Sequence, residues 1–62
     1  MSRLCELTES VTLEPIYINP EQVCWIRRDE EYTEVIFGND TRAFVTETID
    51  VVRNALDNAY RT

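Results

Sequence analysis

The sequence predicts an α+β domain: an antiparallel β-meander of four or five short strands, followed by one C-terminal α-helix packed on one sheet face. Three observations predict it. Apolar and β-branched residues alternate with period two in short runs as far as Val45. Turn-forming residues separate those runs at Asn19-Pro20, Asp29–Tyr32 and Gly38-Asn39-Asp40. Beyond Val45 the period changes to that of a helix.

The first strand is short, Leu4 to Leu7, and Thr8-Glu9-Ser10 reads as a turn. Val11-Thr12-Leu13 resumes the alternation, and Ile16-Tyr17-Ile18 has the β-branched and aromatic character of a second strand. Pro15 belongs at its start or on an edge, because proline donates no hydrogen bond to a ladder. Pro20 presets φ for a turn or one turn of 3₁₀ helix, with the Asn19 side chain capping the freed amides. Val23 to Arg28 is the third strand, with Cys24 and Ile26 on one side and Val23 and Trp25 on the other. Asp29-Glu30-Glu31-Tyr32 is short enough for a hairpin loop. Thr33 to Phe37 follows, pointing Thr33, Val35 and Phe37 one way and Glu34 and Ile36 the other. The Gly38-Asn39-Asp40 turn, where positive φ is easily adopted by glycine and tolerated by asparagine or aspartate, leads to a last strand, Thr41 to Val45. Residues 46–61 then place Ile49, Val52, Leu56 and Ala59 at spacings of 3, 4 and 3, one stripe of an α-helix. Thr46 or Thr48 is its N-cap. Glu47 and Asp50 put negative charge at the positive end of the macrodipole, and Arg53 and Arg61 lie towards the other end.

At 62 residues the chain has room for a single domain, residues 1–62. Folding at this size hides only about 60% of the surface exposed by the unfolded chain, so stability is thin. A 44% hydrophobic composition is too apolar for disorder, and no apolar run approaches a membrane span. Twelve acidic residues against six arginines give a net charge of −6, which argues against nucleic acid as a partner. The chain has no histidine and no lysine, which removes the commonest general base and metal ligand. Its serines are Ser2 and Ser10, and its single glycine excludes a phosphate-cradling loop. No catalytic, cofactor-binding or metal-ligating residue is therefore assigned, and a non-enzymatic role is expected.

Two cysteines, Cys5 and Cys24, are too few for a secreted disulfide framework, and Met1 to Glu6 lacks an apolar signal core, so a cytoplasmic location is expected. Cys24 reads as a small buried hydrophobe within its strand; a Cys5–Cys24 bridge requires the first strand to pair beside the third.

One helix covers one face of a sheet. With Cys24, Ile26, Val35, Phe37, Ala43 and Val45 beneath it, the opposite face carries Trp25, Ile36 and Phe44, with Tyr17 nearby. Such a contiguous apolar patch marks an interface, so self-association as a homodimer or higher oligomer is expected through Tyr17, Trp25, Ile36 and Phe44, most simply with sheets face to face around Trp25. The competing arrangement folds the N-terminal segment over that face. Arg27-Arg28 beside Asp29-Glu30-Glu31 reads as cross-loop charge pairing. Two further functional readings stand beside the protein-contact one. A nucleic-acid-associated regulator would use Arg27, Arg28 and Arg42 as a local basic patch. An acidic mimic of nucleic acid would present Asp29 to Glu31, Glu47, Asp50 and Asp57 to a basic protein.

Ile16-Tyr17-Ile18-Asn19-Pro20, Val23, Ile26, Thr33, Val35, Phe37, Asn39-Asp40, Val45, Glu47 and Val51-Val52 together resemble the small flagellar FlbD (SwrD) family and FlbD-like short prophage and bacterial proteins. The resemblance spans roughly residues 16–57. It implies strands joined by turns and closed by a C-terminal helix, and an accessory role in motility or a prophage origin, with no catalytic residues. Where that family has Asn-Gly in the turn, this chain has Asn39-Asp40 with glycine displaced to Gly38; Thr48 stands for a serine, and the stretch from Arg3 to Leu13 is longer than the family's opening strand.

Overall fold

A computed structural model describes residues 3–38 and 40–61. Asn39 and the side chain of Arg61 lie outside the described set. The order is β1 (Cys5–Thr8), β2 (Pro15–Ile18), a 3₁₀ turn (Pro20–Gln22), β3 (Val23–Asp29), β4 (Tyr32–Phe37), β5 (Arg42–Val45) and α1 (Ile49–Arg61). The α+β class and the antiparallel pairing are as the sequence predicts. The strands, however, fall into two sheets, a β1-β2 hairpin and a β3-β4-β5 meander. The 3₁₀ turn accounts for the break, because Asn19 Oδ1 accepts from the Glu21 N–H at 3.0 Å and its carbonyl from Gln22 N–H at 3.0 Å, coiling the chain out of the sheet. The sheets meet elsewhere. Glu9 and Val45 form one antiparallel bridge, flanked by Ser10 N–H donating to the Phe44 carbonyl at 2.9 Å and Thr46 N–H to the Thr8 carbonyl at 3.0 Å.

Between β1 and β2 the expected resumption of strand at Val11-Thr12-Leu13 does not occur. The Glu9 carboxylate accepts from Val11 N–H at 3.1 Å, Thr12 N–H at 2.8 Å and the Thr12 hydroxyl at 2.9 Å, and so stabilises a turn in which Leu13 has φ 61°. Those bonds hold the Glu9 carboxyl below its usual range, the Thr12 amide contributing most. Alternation predicts a strand only where no local acceptor competes for the amides.

Side chains from both sheets and the helix build the core: Cys5, Leu7 and Ile18 from the hairpin, Val35 and Val45 from the meander, Val52 and Ala59 from α1. The β1-β2 hairpin thus packs on the helix side of the meander, and among the described residues none lies over the opposite face. Thr48 is the N-cap: its carbonyl accepts from Val52 N–H at 2.9 Å and its hydroxyl from Val51 N–H at 3.4 Å. Glu47 turns away from the helix terminus that the sequence assigned it to. Its two oxygens accept from Thr8 N–H at 3.0 and 3.1 Å, and its carbonyl from the Thr33 hydroxyl at 2.7 Å, tying β1 and β4 to the start of α1.

Two further turns, besides the one at Leu13, use residues other than glycine for positive φ. Gly38 does not adopt it, whereas Asp40 in the same connection has φ 60°. Glu30, the first residue of the two-residue β3-β4 turn, has φ 55°. A side chain with a Cβ is strained there, so Glu30→Gly is expected to raise stability by about 1 kcal/mol, read as a higher urea midpoint. An unchanged or lower midpoint would show that the turn is relaxed with glutamate.

Candidate interaction face

The face of β3-β4-β5 turned away from α1 is set by strand register. Trp25 lies opposite Ile36 and Ile36 opposite Arg42; in the next row Arg27 lies opposite Glu34 and Glu34 opposite Phe44. Trp25, Ile36 and Phe44 therefore do come together, as their alternation predicts, but they are interleaved with Arg27, Glu34 and Arg42 rather than forming an unbroken apolar row. The central strand is covered by side chains from its neighbours: Ile36 is 6% exposed and Phe44 half-buried, whereas Trp25 on the outer strand is 52% exposed. Tyr17 is not part of this face. It sits on β2 opposite Glu6, on the exposed side of the other sheet.

Glu34 is buried, and its two oxygens are shared between two arginines. Arg27 Nε donates to Oε1 at 2.6 Å and an Arg42 terminal nitrogen to Oε2 at 2.6 Å. Both guanidinium side chains stay about half exposed. The Arg27 guanidinium also lies over the Trp25 ring, 5.5 Å from its centroid, so the indole is held by a cation–π contact on a charge fixed from below. The expected pairing of Arg27 with the adjacent acidic loop is thus replaced by a cross-strand ion pair, which the register brings closer.

The Arg27 hydrogen bond, with the charges of Arg27 and Arg42, holds the Glu34 carboxyl below its ordinary range against the opposing effect of desolvation. A carboxyl whose pKa is lower folded than unfolded adds stability above the unfolded value, about 4.3, and loses it as pH falls through the folded value. The urea midpoint is accordingly expected to fall below about pH 5 as the unfolded carboxyls begin to bind protons. Glu34→Gln should reduce that acid slope, leaving the contribution of Glu9, which shifts in the same direction. An identical slope in the variant would remove Glu34 as its source.

Cys24 is exposed, contrary to the sequence reading. The register slips between Val23, opposite Phe37, and Trp25, opposite Ile36, which makes Cys24 the extra residue of a β-bulge. The bulge also lets both Val23 and Ile26 pack on the core, although strict alternation would send them to opposite faces. Cys5 is buried, and burial first, then the Glu47 charge, pushes its thiol pKa up; both cysteines are free thiols.

Arg28 alternates to the helix side of the sheet, so Arg27, Arg28 and Arg42 do not form one basic patch. Of the acidic candidates, Glu30, Glu31 and Asp50 line a pocket of about 280 Å³ together with Arg28, while the Glu47 carboxylate is held by Thr8. Among the described residues no group of three metal-ligating side chains stands together, and no helix is long and apolar enough to cross a membrane.

A groove of about 550 Å³ was not legible in the sequence. It runs between β3 and α1, lined by Pro20, Val23, Ile26, Leu56, Asp57 and Tyr60 among others. One wall comes from the 3₁₀ turn and β3 and the other from α1, about 30 residues later in the sequence, and the bulge that turns Val23 inward has no marker in the pattern. No family model matches this chain, and no curated protein or solved structure matches it either.

Proposed function

We propose that this chain is a non-enzymatic, cytoplasmic protein that works through protein contacts and self-association, with Trp25 as the anchor. The observation that carries this reading is a half-exposed tryptophan on an uncovered sheet face, held by an arginine that is itself held by a buried carboxylate. Tryptophan and arginine are the residues that most often dominate binding energy at interfaces, and a preordered side chain loses less entropy on association. Ile36 lies beside the anchor on β4 and Phe44 on the same face of β5, and Tyr17 offers a separate exposed aromatic surface. The resemblance of residues 16–57 to the flagellar family agrees with an accessory role of this kind, since that family brings no catalytic residues.

The test is sedimentation at low micromolar concentration. A species of about twice the 7.3 kDa chain mass is expected. Trp25→Ala should raise its dissociation constant at least about tenfold, as truncation of an interface anchor does. A 7.3 kDa monomer throughout that range would overturn the reading. Salt separates it from the acidic-mimic reading: an apolar anchor holds its affinity as salt rises, whereas charge-led binding to a basic partner weakens steeply.

A further inference from the structure

The open edge of β3 runs beside the groove that β3 forms with α1. Among the described residues β3 pairs only with β4, so its other edge carries unpaired backbone groups. Asp29 faces Tyr32 across the two-residue turn, and hydrogen-bonded pairs with β4 then recur at Arg27 and Trp25. The N–H and C=O of Ile26 and Arg28 consequently point away from β4. The same alternation directs the Phe37 N–H towards β5, where it donates to the Thr41 carbonyl at 2.8 Å.

We propose that a second copy of this chain occupies that edge, its β3 antiparallel to the first about a two-fold axis at Ile26, joining two three-stranded sheets into one of six. This rests on the self-association reading and specifies the surfaces that meet. Charge selects the register. Centring on Ile26 sets Trp25 opposite the partner's Arg27 and Arg28 opposite the partner's Cys24, while centring on Arg28, the other outward-pointing residue, sets two guanidiniums against each other. In the Ile26 register each Arg27 lies between its own indole, 5.5 Å away, and that of the other copy. On the helix side, the partner's Ile26 enters the groove of about 550 Å³ towards Leu56 and Tyr60, and the partner's Arg28 reaches the groove end that carries Asp57. The bulge at Cys24 ends the regular stretch of β3 and restricts the new ladder to a few residues. An isologous contact of this kind closes at two copies.

Cross-linking at the two-fold axis tests the arrangement. In a Cys24→Ser background, Ile26→Cys puts the two introduced thiols about 5.5 Å apart at their Cα atoms, within disulfide range, while Cys5 stays buried. Diamide oxidation is expected to convert most of this variant to a covalent dimer on non-reducing gels and to leave Cys24→Ser/Phe44→Cys monomeric, because Phe44 lies two strands from the edge. Arg28→Pro, at an exposed site, deletes one outward N–H and should raise the dissociation constant at least tenfold with the circular dichroism spectrum retained. A wild-type dimer in which Phe44→Cys cross-links and Ile26→Cys does not would overturn the edge pairing and leave self-association through the sheet faces standing. If Ile26→Cys does not fold, an unchanged dissociation constant for Arg28→Pro overturns it instead. A wild-type monomer removes self-association itself.

Discussion

Leu7→Ala is expected to leave most of the protein unfolded at 37 °C. Leu7 is 2% exposed on β1, opposite Ile16, and joins the hairpin to the core shared by Val35, Val45 and Val52. Truncating a buried leucine costs about 2–5 kcal/mol, the removed methyl groups and the cavity they leave both contributing. A domain of 62 residues has about 3–9 kcal/mol in total at ordinary stability per residue, so the loss is of the same order as the whole. Thermal and urea unfolding followed by far-UV circular dichroism would show it, at one fixed protein concentration because association adds to apparent stability. A loss below about 1 kcal/mol would mean that the core closes without the hairpin.

Glu47→Ala is expected to have the second-largest effect, about 1–3 kcal/mol, because it strands the Thr8 N–H where two carboxylate oxygens now accept it. The cost is structural as well as local. Thr8 also accepts from Thr46 N–H at 3.0 Å, and the Glu47 carbonyl holds the buried Thr33 hydroxyl, so these bonds join β1, β4 and the lead-in to α1. Glu47→Gln keeps one acceptor oxygen and should lose less than half as much. Equal losses for alanine and glutamine would show that charge, not the hydrogen bond to Thr8, is what matters there.

Much of the fold is legible in the sequence where local chemistry and the final environment agree. Asn19-Pro20 forms the capped 3₁₀ turn because proline presets φ and asparagine carries its own acceptor. Val52 and Ala59 are buried and Leu56 half-buried, on the stripe that the helical spacing predicts. Trp25, Ile36 and Phe44 share a face because the register across β3, β4 and β5 preserves alternation in the stretch that contains them.

Three of the misreadings share a cause, a partner that lies in another strand or segment, whereas the turn at Val11–Leu13 comes from the local acceptor Glu9. Cys24 is exposed because a bulge shifts β3 against β4, and the one-residue difference reverses the face of every residue before it. Arg27 prefers Glu34 to the nearer acidic loop because the hairpin register places that carboxylate directly across the ladder. Glu47 looks like a helix-terminus acid in sequence and serves instead as the acceptor for a strand 39 residues away.

Composition and periodicity by themselves determined the class of this protein, α+β with antiparallel strands and a C-terminal helix, together with the shared face of Trp25, Ile36 and Phe44. They could do so because a strand alternates every two residues and a helix repeats every 3.6, whatever surrounds them. Only the tertiary structure decided that the strands divide into two sheets, that the face carries a buried carboxylate beneath its tryptophan and arginines, and that an open strand edge runs beside a groove. Those features arise from register, a bulge and the packing of α1 against β3, which are relations between distant segments and leave no period in the chain.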